Sequence, residues 1–161
     1  MTAQIRLQAI TQSDLVILHQ FESDLIASKM AEFTPREWPD FVEHWQHNIF
    51  HKPDTIALGV KLESQLVGSV LSWRNPSDAL TSNGRLIGYW IDRAYWGQGI
   101  ASKALGMLLP QLPKEPLFAY IADHNTRSQN IVKRYGFASA NLTKAQKQAL
   151  PENLGLYCKA V

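Results

Sequence analysis

One segment constrains this chain more than any other: an apolar strand that runs at once into a glycine-bracketed turn and a helix. Arg85–Asp92 carries the core Ile87-Gly88-Tyr89-Trp90-Ile91. Tyr95-Trp96-Gly97-Gln98-Gly99 follows, and the apolar spacing predicts a helix over 100–109. The first four N–H groups of a helix lack internal partners, and the helix dipole adds about half a positive charge there. Glycines let a backbone approach an anion where a Cβ would obstruct it. The turn therefore reads as an anion cradle or, more plainly, as a tight strand-to-helix connection. It is not the dinucleotide fingerprint, whose third glycine would fall on Ser102, and no Gly-Lys-Ser/Thr makes it a P-loop.

The elements around it describe a mixed layer protein. Ile5, Leu7 and Ala9 alternate with polar residues as in a strand, and Thr11 with Asp14 reads as a capping box opening a helix. Residues 36–50 read as one amphipathic helix, with Trp38, Phe41, Val42, Trp45 and Ile49 on one face. Strands over 55–62 and 66–73 flank the turn Glu63-Ser64-Gln65. Leu117–Ala122 is a further strand, Thr126–Arg134 a helix stopped at Gly136, and 137–142 and 155–160 closing strands. Thr143–Leu150 reads as a short helix or a loop insert.

At 161 residues the chain fits a single domain over 1–161, and it is long enough to bury a core without a metal or disulfide. A lone cysteine, Cys158, excludes an intrachain disulfide and a multi-cysteine zinc site. No apolar run approaches the ~20 residues of a membrane helix. Residues 1–12 lack a signal-peptide core. These features predict a cytoplasmic protein with no membrane partner.

The charge is divided along the chain. Residues 1–92 hold seven Lys/Arg against eleven Asp/Glu, whereas residues 93–151 hold eight against two. The basic half suits a small polyanion. It has no run of five cations and no aromatic stacking pattern, so no nucleic-acid partner is expected. Asp40, His44, His47 and His51 fall on one face of the helix over 36–50. Metal-ligand spacing is present there, but a solvated face explains it, and no metal is expected.

A second signal is Asn125-Thr126-Arg127-Ser128 running through Asn130, Lys133 and Arg134 to Gly136-Phe137. Asn125 is a natural N-cap. Ser128 and Asn130 in the following turn compete with the backbone for hydrogen bonds, which hints at a ligand. With this block the chain resembles the GNAT superfamily of N-acetyltransferases, and is similar to its branch of ribosomal-protein N-terminal acetyltransferases. The matching blocks are Ile87–Asp92, Tyr95–Ala101, and Asn125-x-x-Ser128 through Gly136-Phe137.

The resemblance implies an α/β fold of GNAT type: a mixed, mostly antiparallel central sheet with a splayed strand pair and flanking helices. It implies acetyl-CoA as co-substrate, with Trp96, Gly97, Gln98, Gly99, Ile100, Ala101 and Ser102 around its pyrophosphate. Trp90, Ile91 and Asp92 would border the pantetheine arm. Asn125 and Asn130 would hydrogen-bond it, and Arg134 or Lys133 would meet the 3′-phosphate. The acceptor would be an amine, on a protein N-terminus or a small molecule, near Glu22 and Glu32. The state would be monomer or homodimer.

The sequence departs from the family's pattern in three respects. Trp96 stands where the loop usually opens with Gln or Arg. Val132 stands where many members place a tyrosine acid. Arg85 and Leu86 stand where many carry a glutamate. The catalytic candidates are therefore Ser128 as proton donor, and Asp92 or His124 as base, with a water chain as the alternative. The missing groups also motivate a second reading, a non-catalytic acyl-CoA-binding module on the same fold.

Overall fold

The computed structural model describes residues 4–161; Met1–Ala3, part of the domain expected over 1–161, lie outside the described residues. Seven strands form one sheet in the order β1-β2-β3-β4-β5-β7-β6. They are β1 (Ile5–Ala9), β2 (Ile56–Leu62), β3 (Gln65–Trp73), β4 (Arg85–Ile91), β5 (Leu117–Ala122), β6 (Ala138–Ser139) and β7 (Leu154–Lys159). Every pairing is antiparallel except β4 with β5. The helices are α1 (Leu15–Glu22), α2 (Leu25–Ala31), α3 (Trp38–His44), α4 (Ile100–Leu108), α5 (Thr126–Arg134) and α6 (Lys144–Gln148).

The period-two alternation of β4 sorts it between two layers. Ile87 and Ile91 are buried with Ala104, Leu105 and Leu108 of α4 and Ile131 and Val132 of α5, and Tyr89 packs against that core. The other face carries Trp90, whose ring meets Phe33 edge-on at 5.5 Å. Gly88 on that face leaves room for the Trp73 ring, which lies 3.1 Å from where a Cβ would sit. A second core joins α1, α3 and the turn that follows α3 through Leu15, Leu18, Phe41 and Trp45.

The feature that positions the site is a failure of pairing. β4 and β5 are bonded only at Arg85 with Leu117 and Leu86 with Phe118, and diverge beyond them. The joined end is anchored by Arg85, 1% exposed, which donates to Ser72 Oγ and to Asp54 Oδ1 at 2.9 Å each. A guanidinium this deep persists because its charge is paired and its N–H groups are satisfied.

Several boundaries differ from the sequence expectation. The helix over 36–50 begins at Trp38 and is α-helical only to His44; Trp45–Phe50 is a wider π-helical turn. The histidine face is not uniformly solvated, although Asp40, His47 and His51 are exposed. His44 is partly buried, and desolvation, with the Arg36 charge, holds its pKa down at about 4. Among the described residues no three His, Cys, Asp or Glu side chains are grouped to hold a metal. The strand expected over 137–142 is reduced to Ala138–Ser139, because Phe137 turns inward to the main core at 3% exposure. No helix among the described residues is long and apolar enough to cross a membrane.

Candidate active site

The splay opens a cavity of about 410 Å³. β4 and β5 form its walls. Ala27, Met30 and Ala31 of α2 border it on one face of the sheet, and Ala101 of α4 and the first turn of α5 border it on the other. Its lining is mainly apolar, as pockets for small ligands usually are.

The glycine-bracketed turn lies beside this cavity. Gly97 and Gly99 have φ of 80° and 75°, the left-handed region that favours glycine. A Cβ at either would meet nothing within 4 Å, so open space faces the turn. Gly99 is the N-cap of α4, which leaves the amides of Ile100, Ala101 and Ser102 without partners inside the helix. Ile100 is buried and pins the helix start to the core. Open space against unpaired amides at a positive helix end fits a phosphate-bearing ligand.

Trp96 is fixed by its indole N–H, which donates to the Ile91 carbonyl at 2.9 Å. The Arg127 guanidinium sits 5.5 Å from the centre of the Trp96 ring. Arg127 borders the cavity and forms no salt bridge among the described residues. A cation in the first turn of a helix opposes the helix dipole, and that misplaced charge was the sequence signal that could have marked it. Arg134 reaches the same region, donating to Ser102 Oγ at 3.0 Å. Lys133 lies instead over the Tyr157 ring at 5.9 Å, so of the two basic candidates Arg134 is the one beside the loop.

Asn125 caps α5, its Oδ1 accepting the Ser128 amide at 3.2 Å, and both residues border the cavity. Asn130 is exposed and outside the lining. Ser128 Oγ is 2.5 Å from the Tyr89 hydroxyl. Burial pushes the Tyr89 pKa up to about 12, with the Ser128 hydrogen bond opposing it. Tyr89 is a site residue that the sequence reading treated only as strand core. A phenol in the buried stripe Ile87-Tyr89-Ile91 requires a polar partner, and that requirement was its signal.

The remaining candidates scatter. Trp90 and Ile91 line the cavity, but Asp92 lies outside it and accepts the Ala94 amide at 3.3 Å as a local cap. His124 borders the cavity, and each of its ring nitrogens has an oxygen nearby. Nε2 lies 2.9 Å from the Lys29 carbonyl, and Nδ1 lies 3.6 Å from Glu32 Oε1. The carbonyl can only accept, so Nε2 carries the proton. Glu32, left-handed at φ 53°, also accepts from Asn153 at 3.5 Å. Glu22 is one layer back, held by Arg36 through contacts of 3.2 and 3.3 Å. Desolvation raises its pKa despite that pairing.

The profile of the acetyltransferase (GNAT) domain family matches residues 4–138. The chain belongs to the GNAT acetyltransferase family. Membership makes this GNAT protein an acetyl-CoA-dependent acyltransferase. Solved structures share its architecture. An acetyltransferase from Thermus thermophilus is 18% identical over 100% of both chains, with a TM-score of 0.78. RimL, a ribosomal L7/L12 alpha-N-protein acetyltransferase solved with coenzyme A, is 20% identical over 98% of this chain and 94% of its own, with a TM-score of 0.75. AAC(6')-Ib, solved with ribostamycin and coenzyme A, is 15% identical over 98% and 93%, with a TM-score of 0.76. At these identities the likeness is one of fold. No curated protein matches the chain significantly in sequence.

Proposed function

We propose that this GNAT protein moves an acetyl group from acetyl-CoA directly to a primary amine, carried on a protein N-terminus or a small molecule. The observation that carries the reading is the splayed β4–β5 pair, which opens between unpaired helix amides and the hydroxyl of Ser128. Acetyl-CoA supplies an activated thioester. The amides of Ile100, Ala101 and Ser102 hold its pyrophosphate, with Arg127 and Arg134 as the nearby cations. The free edge of β4 borders the pantetheine arm as an added strand would. Asn125, freed of no bond it needs for its cap, presents its amide group to the same arm.

Three tasks then fall to this chain's residues. A backbone N–H near Trp90 or Ile91 meets the negative charge that develops on the carbonyl oxygen. Ser128 donates a hydrogen bond to the departing sulfur, steadying the charge that grows there. The acceptor amine enters from the α2 side, where Glu32 offers an anionic rim, and it loses its proton to solvent. Asp92 is less suited as a base, since it caps a turn outside the cavity, whereas His124 donates from Nε2 to the Lys29 carbonyl and keeps Nδ1 as its one acceptor, beside Glu32. The acceptor named for RimL is a ribosomal protein and the ligand named for AAC(6')-Ib is ribostamycin, and both support an amine-bearing acceptor here.

The first experiment is thermal denaturation with acetyl-CoA, coenzyme A and ADP in turn. A ligand at about 100 times its dissociation constant adds ~2.7 kcal/mol. A shift with acetyl-CoA well above that with ADP is expected, and no shift at millimolar acetyl-CoA refutes the site. Peptides with free N-termini, polyamines and aminoglycosides are then screened by thiol release. Binding of acetyl-CoA with no turnover on any amine would leave a binding module in place of an enzyme.

A further inference from the structure

The Tyr89 hydroxyl contacts Ser128 twice, at 2.5 Å to Oγ and at 3.2 Å to the carbonyl oxygen. Burial keeps the phenol protonated, with its pKa pushed up to about 12. It therefore brings one hydrogen to two acceptors. If that hydrogen goes to the carbonyl, Ser128 must close the 2.5 Å gap with its own hydrogen, turned away from the cavity. If it goes to Oγ, the Ser128 hydrogen is released toward the cavity. Both arrangements fill the 2.5 Å contact, and only the second leaves Ser128 a hydrogen for the cavity. The Ser128 carbonyl also has a helical partner available, the amide of Val132 one turn on.

We propose that Tyr89 is a positioning residue for acetyl transfer: its hydroxyl donates to Ser128 Oγ and thereby aims the Ser128 hydrogen at the departing sulfur. The inference rests on the reading of Ser128 as donor given above. In the transfer, the amine nitrogen bonds to the acetyl carbon, and the C–S bond breaks with its electron pair on sulfur. One proton passes from nitrogen to solvent, and one returns from solvent to sulfur. Tyr89 does not itself protonate the thiolate, because an ordinary thiol has a pKa of about 8.5, well below that of the phenol. It polarises Ser128 instead, and hydrogen bonds in such a chain strengthen one another as negative charge grows at its end. No polar side chain stands one turn further along α5, where Val132 is fully buried.

The test uses Tyr89→Phe, which keeps the packed ring and removes the hydroxyl, with Ser128→Ala and the double variant. Coenzyme A alone is the first probe. Its thiol is titrated in the complex by the difference in ultraviolet absorbance between bound and free forms. The wild type should lower the thiol pKa, and Tyr89→Phe should return it toward that of free coenzyme A. With an amine accepted in the screen, kcat should fall about tenfold or more, with KM for acetyl-CoA within twofold. The double variant should lose no more than Ser128→Ala, since Tyr89 acts through Ser128. Ser128→Thr, which keeps a hydroxyl, should stay sensitive to Tyr89→Phe. An unchanged thiol titration, a rise in KM without loss of kcat, or additive losses in the double variant would each overturn the proposal. Failure of coenzyme A to bind at all would instead sink the acetyltransferase site itself.

Discussion

The Arg127 guanidinium lies over the Trp96 indole, 5.5 Å from its centre, and Trp96 is in turn tied to the Ile91 carbonyl. A cation on an aromatic face keeps its charge while losing freedom to wander, an attraction of ~0.5–2 kcal/mol. Arg127 is thereby pre-oriented at the cavity, over the residue that opens the glycine-bracketed turn. We expect Arg127→Ala to weaken acetyl-CoA binding about tenfold, the scale of one charge-assisted hydrogen bond. Added salt should narrow the gap between wild type and variant. Calorimetric titration at two salt concentrations checks both; an unchanged dissociation constant would remove Arg127 from the phosphate site.

Gly99 separates folding from binding. A Cβ there meets no protein atom, but the residue holds φ at 75°. Gly99→Ala should cost ~1–2 kcal/mol for the left-handed backbone, or a few degrees in Tm. The larger effect should be on acetyl-CoA, whose stabilising shift is expected to shrink or vanish as the methyl group enters the space beside the amides. Paired melts with and without acetyl-CoA measure the two effects. Equal loss in both melts would mean that the turn serves only the fold.

His44 makes stability depend on pH. Its folded pKa of about 4 lies below its ordinary 6.5, through desolvation first and the Arg36 charge second. Between those values the unfolded chain binds a proton that the folded one refuses. The contribution is therefore complete above pH 6.5 and is lost as pH falls toward 4. Asn48 Nδ2, 3.0 Å from His44 Nδ1, suits the neutral ring. Replacing His44→Gln should flatten the Tm profile across that window. A variant profile parallel to wild type would exclude His44 as the cause.

Asp78 behaves in the same direction at lower pH. Burial opposes its ionisation, but hydrogen bonds from Tyr120, the Leu80 amide and Thr81 outweigh burial and bring its pKa below 3.8. Its contribution should be present above pH 3.8 and lost below. Asp78→Asn should destabilise by about 1 kcal/mol near neutrality. That difference should close on acidification, as read from urea denaturation at pH 7 and pH 3.

The sheet was largely legible because strand alternation and turn residues are local signals. The apolar run Ile87-Gly88-Tyr89-Trp90-Ile91 marks β4 by itself. The π-helical turn after His44 was not legible, since apolar spacing of three and four fits a continuous α-helix equally well. The glycine-bracketed turn could be read because left-handed glycines and a helix start are encoded within a few residues. What escaped were relations across the fold. Tyr89 and Ser128 are 39 positions apart, and His124 and Lys29 are 95 apart. No local pattern states that a phenol on a strand will meet a serine on a helix, or that a loop histidine will close on a distant carbonyl.

The divergence of β4 from β5 has a consequence for the unliganded molecule. Two strands in the middle of the sheet expose hydrogen-bonding edges to an open cleft. Such edges are templates for foreign strands, and most proteins blunt them with charge or a covering loop. Here a bound pantetheine arm would serve as that cover. A cell depleted of the coenzyme would then hold the protein in its stickiest form, so its solubility would follow the metabolic supply of its own co-substrate.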